Sequence, residues 1–192
     1  MPVPLHDYLR RLPSEYYRGH AYVHWSMTIA GRVTGWLDGD THLRFRDVQA
    51  HLLHRYRLIC PMYCLMPDHA HMFWAGLDAN SDQLKAIRFF RDHFNAVLRA
   101  RGVEFQKQCH DNVLRETDRD RGAVVRLAYY LSENPVRAGL SSMATDWAYS
   151  GAHAIGYPDL DWRASDFSGR FWKIYALEVE RNAGAEGVNV FP

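Results

Sequence analysis

Hydrophobic and polar positions change period several times along the chain, and each change marks an element. The stretch "AYVHWSMTIAGR" alternates, which predicts a first strand over residues 21–30. A turn-rich break at 35–40 follows. In "THLRFRDVQAHLLHRYR" the apolar residues Leu43, Val48, Leu52 and Leu53 fall near helical spacing, so a helix is expected over 42–56 with Thr41 as its cap. "LICPMYCLMPDHAHMFWAG" reads as two short strands around Pro67. A second helix is expected over 81–101, with Leu84, Ile87, Phe90, Phe94, Val97 and Leu98 as its apolar stripe. Its polar faces carry Lys85, Arg88, Arg91, Arg99 and Arg101. "EFQKQCHDNVLRE" is expected to form a fourth strand. "TDRDRGAVVRLAYYLSENP" reads as a third helix, opened by a near capping box of Thr117 and Asp120 and stopped by Pro135.

The order β-α-β-β-α-β-α predicts an α+β fold. Its first six elements have the pattern of a ferredoxin-like split unit, one antiparallel sheet with helices on one face. Residues 1–20 read as a lead-in with a short helix around "HDYLRRL". After about residue 141 the texture becomes rich in aromatics, Gly and Asp, so loops and short turns packed on the domain are expected, with a frayed end at "AGAEGVNVFP".

Composition narrows the function classes. The net charge of +1 shows no bulk attraction to a polyanion, so any such site must come from local clustering. Three cysteines without a signal sequence indicate a reduced, cytoplasmic protein. Cys60 and Cys64 lack a second pair, which argues against a zinc knuckle. No apolar run approaches a membrane span, and no membrane partner is expected.

The chemistry concentrates in two places. In a strand, residues i and i+2 face one side, so His69 and His71 point together while Ala70 and Met72 point the other way. Two such imidazoles make half of a metal site, or two half-exposed polar residues on a solvated face. The third helix carries Tyr130 and Asn134 four residues apart, on one helical face. Tyr129 lies about 100° round the helix. An amide oxygen suits a hard divalent cation, and a phenol can act as a covalent nucleophile. The competing reading of "AYYL" is aromatic core packing. If the helix lies against the histidine strand, one small volume holds two imidazoles, an amide and a phenol.

These blocks resemble the IS200-type, single-tyrosine transposases of the HUH endonuclease superfamily, and most of all the REP-associated tyrosine transposases. "LMPDHAHMFW" resembles that family's Met-Pro-x-His-hydrophobic-His block, and "YLSENPVRAGL" its Tyr-x-x-x-Asn-Pro-Val block. "HDNVLRE" resembles the strand before the tyrosine helix. Phe105 departs from a frequent Trp. The resemblance spans residues 21–155 and leaves 156–192 as a C-terminal extension. It implies a ferredoxin-like fold and a divalent metal ion, Mg or Mn, held by His69, His71 and Asn134. It further implies Tyr130 as nucleophile on single-stranded DNA near hairpins, with a 5′-phosphotyrosine and a free 3′-hydroxyl. Imidazole ligands favour manganese at least as much as magnesium. Arg88, Arg91, Arg115 and Arg137 are candidates for phosphate contacts, or ordinary surface charge. Trp147, Trp162 and Trp172 are read as core or docking residues ahead of base-stacking ones. A monomer is favoured over a homodimer. Two other classes compete: a domesticated hairpin-DNA binder that does not cut, and a histidine-triad hydrolase. The latter wants a third alternating histidine where Phe73 stands.

Overall fold

The computed structural model describes residues 11–114 and 121–185. Five antiparallel strands form one sheet in the order β4-β1-β3-β2-β5. They are β1 (Tyr22–Thr28), β2 (Leu58–Met66), β3 (His69–Gly76), β4 (His110–Leu114) and β5 (Ser150–His153). The helices are α1 (Gly39–Arg55), α2 (Gln83–Arg99), α3 (Arg121–Ser132), α4 (Asn134–Arg137) and α5 (Phe167–Ala185). The α+β architecture read from the sequence is therefore present. None of the described helices is long and apolar enough to cross a membrane.

Strand alternation gives the sheet two buried faces. Val23, Trp25 and Met27 of β1 join Ala70, Met72 and Trp74 of β3 on one face, where Phe45 and Leu52 of α1 and Phe90 and Phe94 of α2 cover them. The crossover helices thus share a face, as expected of the split unit. Tyr22, Met62, Phe73 and Ala75 point the other way and meet Val124, Ala128 and Leu131 of α3 with Phe171 and Ile174 of α5. Helices therefore cover both faces once α3 and the C-terminal segment are included.

Local details differ from the periodicity in instructive ways. Helix α1 begins before residue 42 because Asp38, not Thr41, caps it: the Asp38 carboxylate accepts from the Thr41 amide at 2.8 Å. Thr41 is buried, and Leu43 is exposed, since the inward stripe runs through Thr41, Phe45, Gln49, Leu52 and Leu53. The fourth strand is shorter than expected. Phe105 makes only a single bridge to Ile29 before the ladder starts at His110. The Thr117–Asp120 capping box lies outside the described residues. Helix α3 ends at Ser132, ahead of Pro135 as expected, and a separate short helix, α4, follows after Glu133. Pro135 sits in the first turn of α4, where its missing N–H costs nothing.

The C-terminal segment is the main correction. In place of loops it supplies β5, which extends the sheet beside β2, and the 19-residue helix α5. Phe167, Phe171, Ile174 and Tyr175 recur at helical spacing and line its inner face. The expected fraying at 183–192 does not begin at 183, because α5 continues to Ala185 and the later residues lie outside the description. Residues 11–20 hold a short 3-10 turn, Ser14–Tyr17, and the expected helix around residues 6–12 falls largely outside the described chain.

Candidate active site

The tight turn at Pro67 and Asp68 sends the chain from β2 into β3 with His69 as its first residue. Alternation then sets His69 and His71 on the α3 side of the sheet, in register with Thr28 and Ser26 of β1. They lie beyond the end of the apolar patch formed by Phe73 and Met62, and both are half-buried.

The two imidazoles face each other, with Nε2 of His69 3.1 Å from Nε2 of His71. Nδ1 of His69 lies 2.6 Å from Oδ1 of Asp68, and the other oxygen of Asp68 accepts from Arg32 at 2.7 Å. Nδ1 of His71 lies 3.0 Å from Nε2 of His24, which projects from β1 onto the same face. Four groups therefore form one chain, Asp68–His69–His71–His24. Burial holds His71 down to about 3, helped by the neighbouring His24 and His69, and burial holds His24 down to about 4. At neutral pH both are neutral, the form that ligates metals. Burial works to raise the Asp68 carboxyl, but hydrogen bonds from His69 and Arg32 outweigh it and keep the group ionised.

Tyr130 and Asn134 come from α3 and α4, which both lie against β2, the strand beside β3. The buried stripe of α3 is Val124, Ala128 and Leu131, so both tyrosines face outward. Tyr130 is 55% exposed and Tyr129 67%, which excludes the core-packing reading of the pair. Arg137 ties this group together. Its guanidinium lies 4.1 Å from the centre of the Tyr130 ring, and it donates to the Tyr130 carbonyl and to the Asn134 side-chain oxygen, each at 2.8 Å. The Asn134 amide nitrogen donates to the Leu131 carbonyl at 3.0 Å. The amide thus bridges the end of α3 and its own helix α4. The positive charge of Arg137 is felt at His71 and at Cys64, the β2 residue paired with His71.

The structure therefore brings His69 and His71 into contact, and gathers Tyr130, Asn134 and Arg137 into a neighbouring group. It does not join all candidates. Arg88 and Arg91 belong to α2, on the opposite face of the sheet, and Arg91 donates to the Lys107 carbonyl. Arg115 lies outside the described residues. Trp147 donates to the Leu65 carbonyl at 2.8 Å, and Trp162 and Trp172 pack against the second apolar cluster, all as docking residues. His24, Asp68 and Arg32 belong to the site but were not singled out by motif. Only the strand register reveals His24, because its partner His71 is 47 residues away.

A divalent ion fits part of this donor set. Two nitrogens bound at about 2.0–2.1 Å to one ion lie roughly 2.9–3.4 Å apart between octahedral and tetrahedral angles, which brackets the observed 3.1 Å. Among the described residues no three His, Cys, Asp or Glu side chains converge as a ready-made metal cage. Among the described residues, the side-chain amide of Asn134 is another donor type that suits a divalent cation.

No protein-family model matches the sequence, and no curated protein matches it. Among solved structures, the fold matches that of a REP-associated tyrosine transposase, determined bound to a REP hairpin. The TM-score is 0.61 with 17% sequence identity, over 76% of this chain and 82% of that one. The chain thus shares the fold of a REP-associated tyrosine transposase.

Proposed function

We propose that the protein nicks and rejoins single-stranded DNA beside hairpins, using Tyr130 as nucleophile and a divalent ion held by His69 and His71. The observation that carries this reading is the facing pair of imidazole nitrogens, next to the strand against which the tyrosine helix packs. The shared fold supports it, as does the exposure of Tyr130, since a nucleophile must reach a polymer.

In this reading the Tyr130 oxygen attacks the scissile phosphorus in line. A tyrosine O–P bond forms, the P–O3′ bond breaks, and the 3′-oxygen leaves with a proton as a free hydroxyl. The phenolic proton is lost to solvent. The 5′-phosphotyrosine keeps the phosphodiester energy, so a second 3′-hydroxyl can displace the tyrosine without a nucleotide cofactor. When bound, the ion supplies Lewis-acid stabilisation of the phosphoryl oxygens. Arg137 lies over the Tyr130 ring, and its guanidinium is suited to a phosphate oxygen beside the nucleophile. Asn134 would supply a third ligand oxygen, the one that now accepts from Arg137.

A hairpin-bearing oligonucleotide tests the proposal. The wild type with Mn²⁺ cleaves the single strand, and Tyr130→Phe binds the hairpin but does not cleave. Hairpin binding with no cleavage by the wild type, in Mn²⁺ and in Mg²⁺, favours a domesticated binder instead.

A further inference from the structure

The chain Asp68–His69–His71–His24 holds more than a ligand pair, and its protons can be counted. A neutral imidazole carries one N–H and one lone pair. The Asp68 carboxylate only accepts, so its 2.6 Å contact assigns the His69 proton to Nδ1 and leaves a lone pair on Nε2. His71 then has two arrangements. In the first its proton is on Nε2 and is donated to His69 at 3.1 Å, while its Nδ1 accepts from His24 at 3.0 Å. Every contact is satisfied and no cation is needed. In the second its proton is on Nδ1 and is donated to His24. The Nε2 lone pairs of His69 and His71 then face each other, and only a cation between them makes that favourable.

Moving from the first arrangement to the second shifts a proton from Nε2 to Nδ1 on both His71 and His24. Each ring keeps one proton throughout. His24 must therefore donate in one state and accept in the other. Phenylalanine can do neither.

We propose that His24 is a positioning residue for the metal site: its Nε2 accepts the Nδ1 proton of His71 and so holds His71 in the tautomer that ligates a divalent cation. This rests on the assignment of His69 and His71 as metal ligands. It adds a device for that pair, in which the ring partners opposite the ion, Asp68 and His24, set which nitrogen is free. Such outer partners of metal-bound histidine carry roughly ten- to a hundredfold in metal affinity.

The test measures Mn²⁺ binding by titration calorimetry without DNA, on the full chain. Wild type, His69→Ala, His24→Phe and His24→Gln are compared, with the melting temperature of each. The wild type binds Mn²⁺ and His69→Ala does not. His24→Phe keeps the ring volume and weakens Mn²⁺ binding about ten- to a hundredfold. His24→Gln restores an acceptor oxygen and recovers most of the loss. Unchanged affinity in His24→Phe overturns the His24 assignment while leaving the ligand pair intact, and so does a Gln variant no better than Phe. Absence of saturable Mn²⁺ binding in the wild type overturns both. Nitrogen-15 NMR of the wild-type imidazoles needs no variant. The His71 proton is expected on Nε2 in metal-free protein and on Nδ1 after Mg²⁺ is added. A proton that stays on Nε2 contradicts the proposal.

Discussion

Tyr129 and Tyr130 are adjacent and similarly exposed, yet only Tyr130 has the Arg137 guanidinium over its ring. Tyr129→Phe is therefore expected to cleave at close to the wild-type rate, within about twofold, because the hydroxyl it removes is 100° or so away from that group. A loss of activity in Tyr129→Phe with activity kept in Tyr130→Phe would reverse the assignment. Asn134 poses a sharper question, since its amide both bonds Leu131 and accepts from Arg137. If Asn134 ligates the ion in the working complex, Asn134→Ala slows cleavage about tenfold and raised Mn²⁺ rescues it. Asn134→Asp then keeps or strengthens metal binding, because it adds a charge at the same reach. If Asn134 only ties off the helix end, Ala lowers the melting temperature and Mn²⁺ does not recover the rate. At this scale the sequence was informative where chemistry is local. The spacing of His69 and His71 is enough to aim them together. His24 was not legible, because nothing in "AYVHWSMT" says which residue of another strand it will meet.

Elements were legible in proportion to their periodicity. Helix α2 has a clean apolar stripe, and its position was readable to within two residues at each end. The ferredoxin-like core followed from the order of periods alone. The strand at β4 is shorter than the sequence suggested, since "EFQKQC" has only Phe105 and Cys109 as apolar positions and the ladder begins at His110. Helix α5 was missed because Gly, Asp and Trp in the preceding stretch read as turns, and four inward aromatic and aliphatic residues within it were not counted as a stripe. Its contribution to stability is measurable. Phe171 is buried at 2% exposure among Tyr22-side core residues, so Phe171→Ala is expected to cost about 3–5 kcal/mol in urea unfolding. A cost below about 1 kcal/mol would mean that α5 is a loosely held addition.

On the scale of the whole molecule, two further histidines are half-buried away from the site. His42 lies 2.9 Å from the Tyr63 hydroxyl, and His153 of β5 lies 3.3 Å from the Gln49 amide nitrogen. Burial, with Arg46 nearby, holds both down to about 4 from an ordinary 6.5. Between pH 6.5 and 4 the unfolded chain binds more protons than the folded one, so stability falls as pH drops through that window. Melting temperature is expected to decline from pH 7 to pH 5, with a shallower slope in the double variant His42→Gln, His153→Gln. An identical slope would show that these groups do not govern the acid response. The covalent step remains the centre of the account. Wild-type protein is incubated with a hairpin-bearing single-stranded oligonucleotide and Mn²⁺, denatured, and mapped by peptide mass spectrometry. The account predicts a 5′-phosphate-linked nucleotide on Tyr130, lost when the metal is chelated. Cleavage without any protein–DNA adduct, or an adduct on another residue, contradicts it.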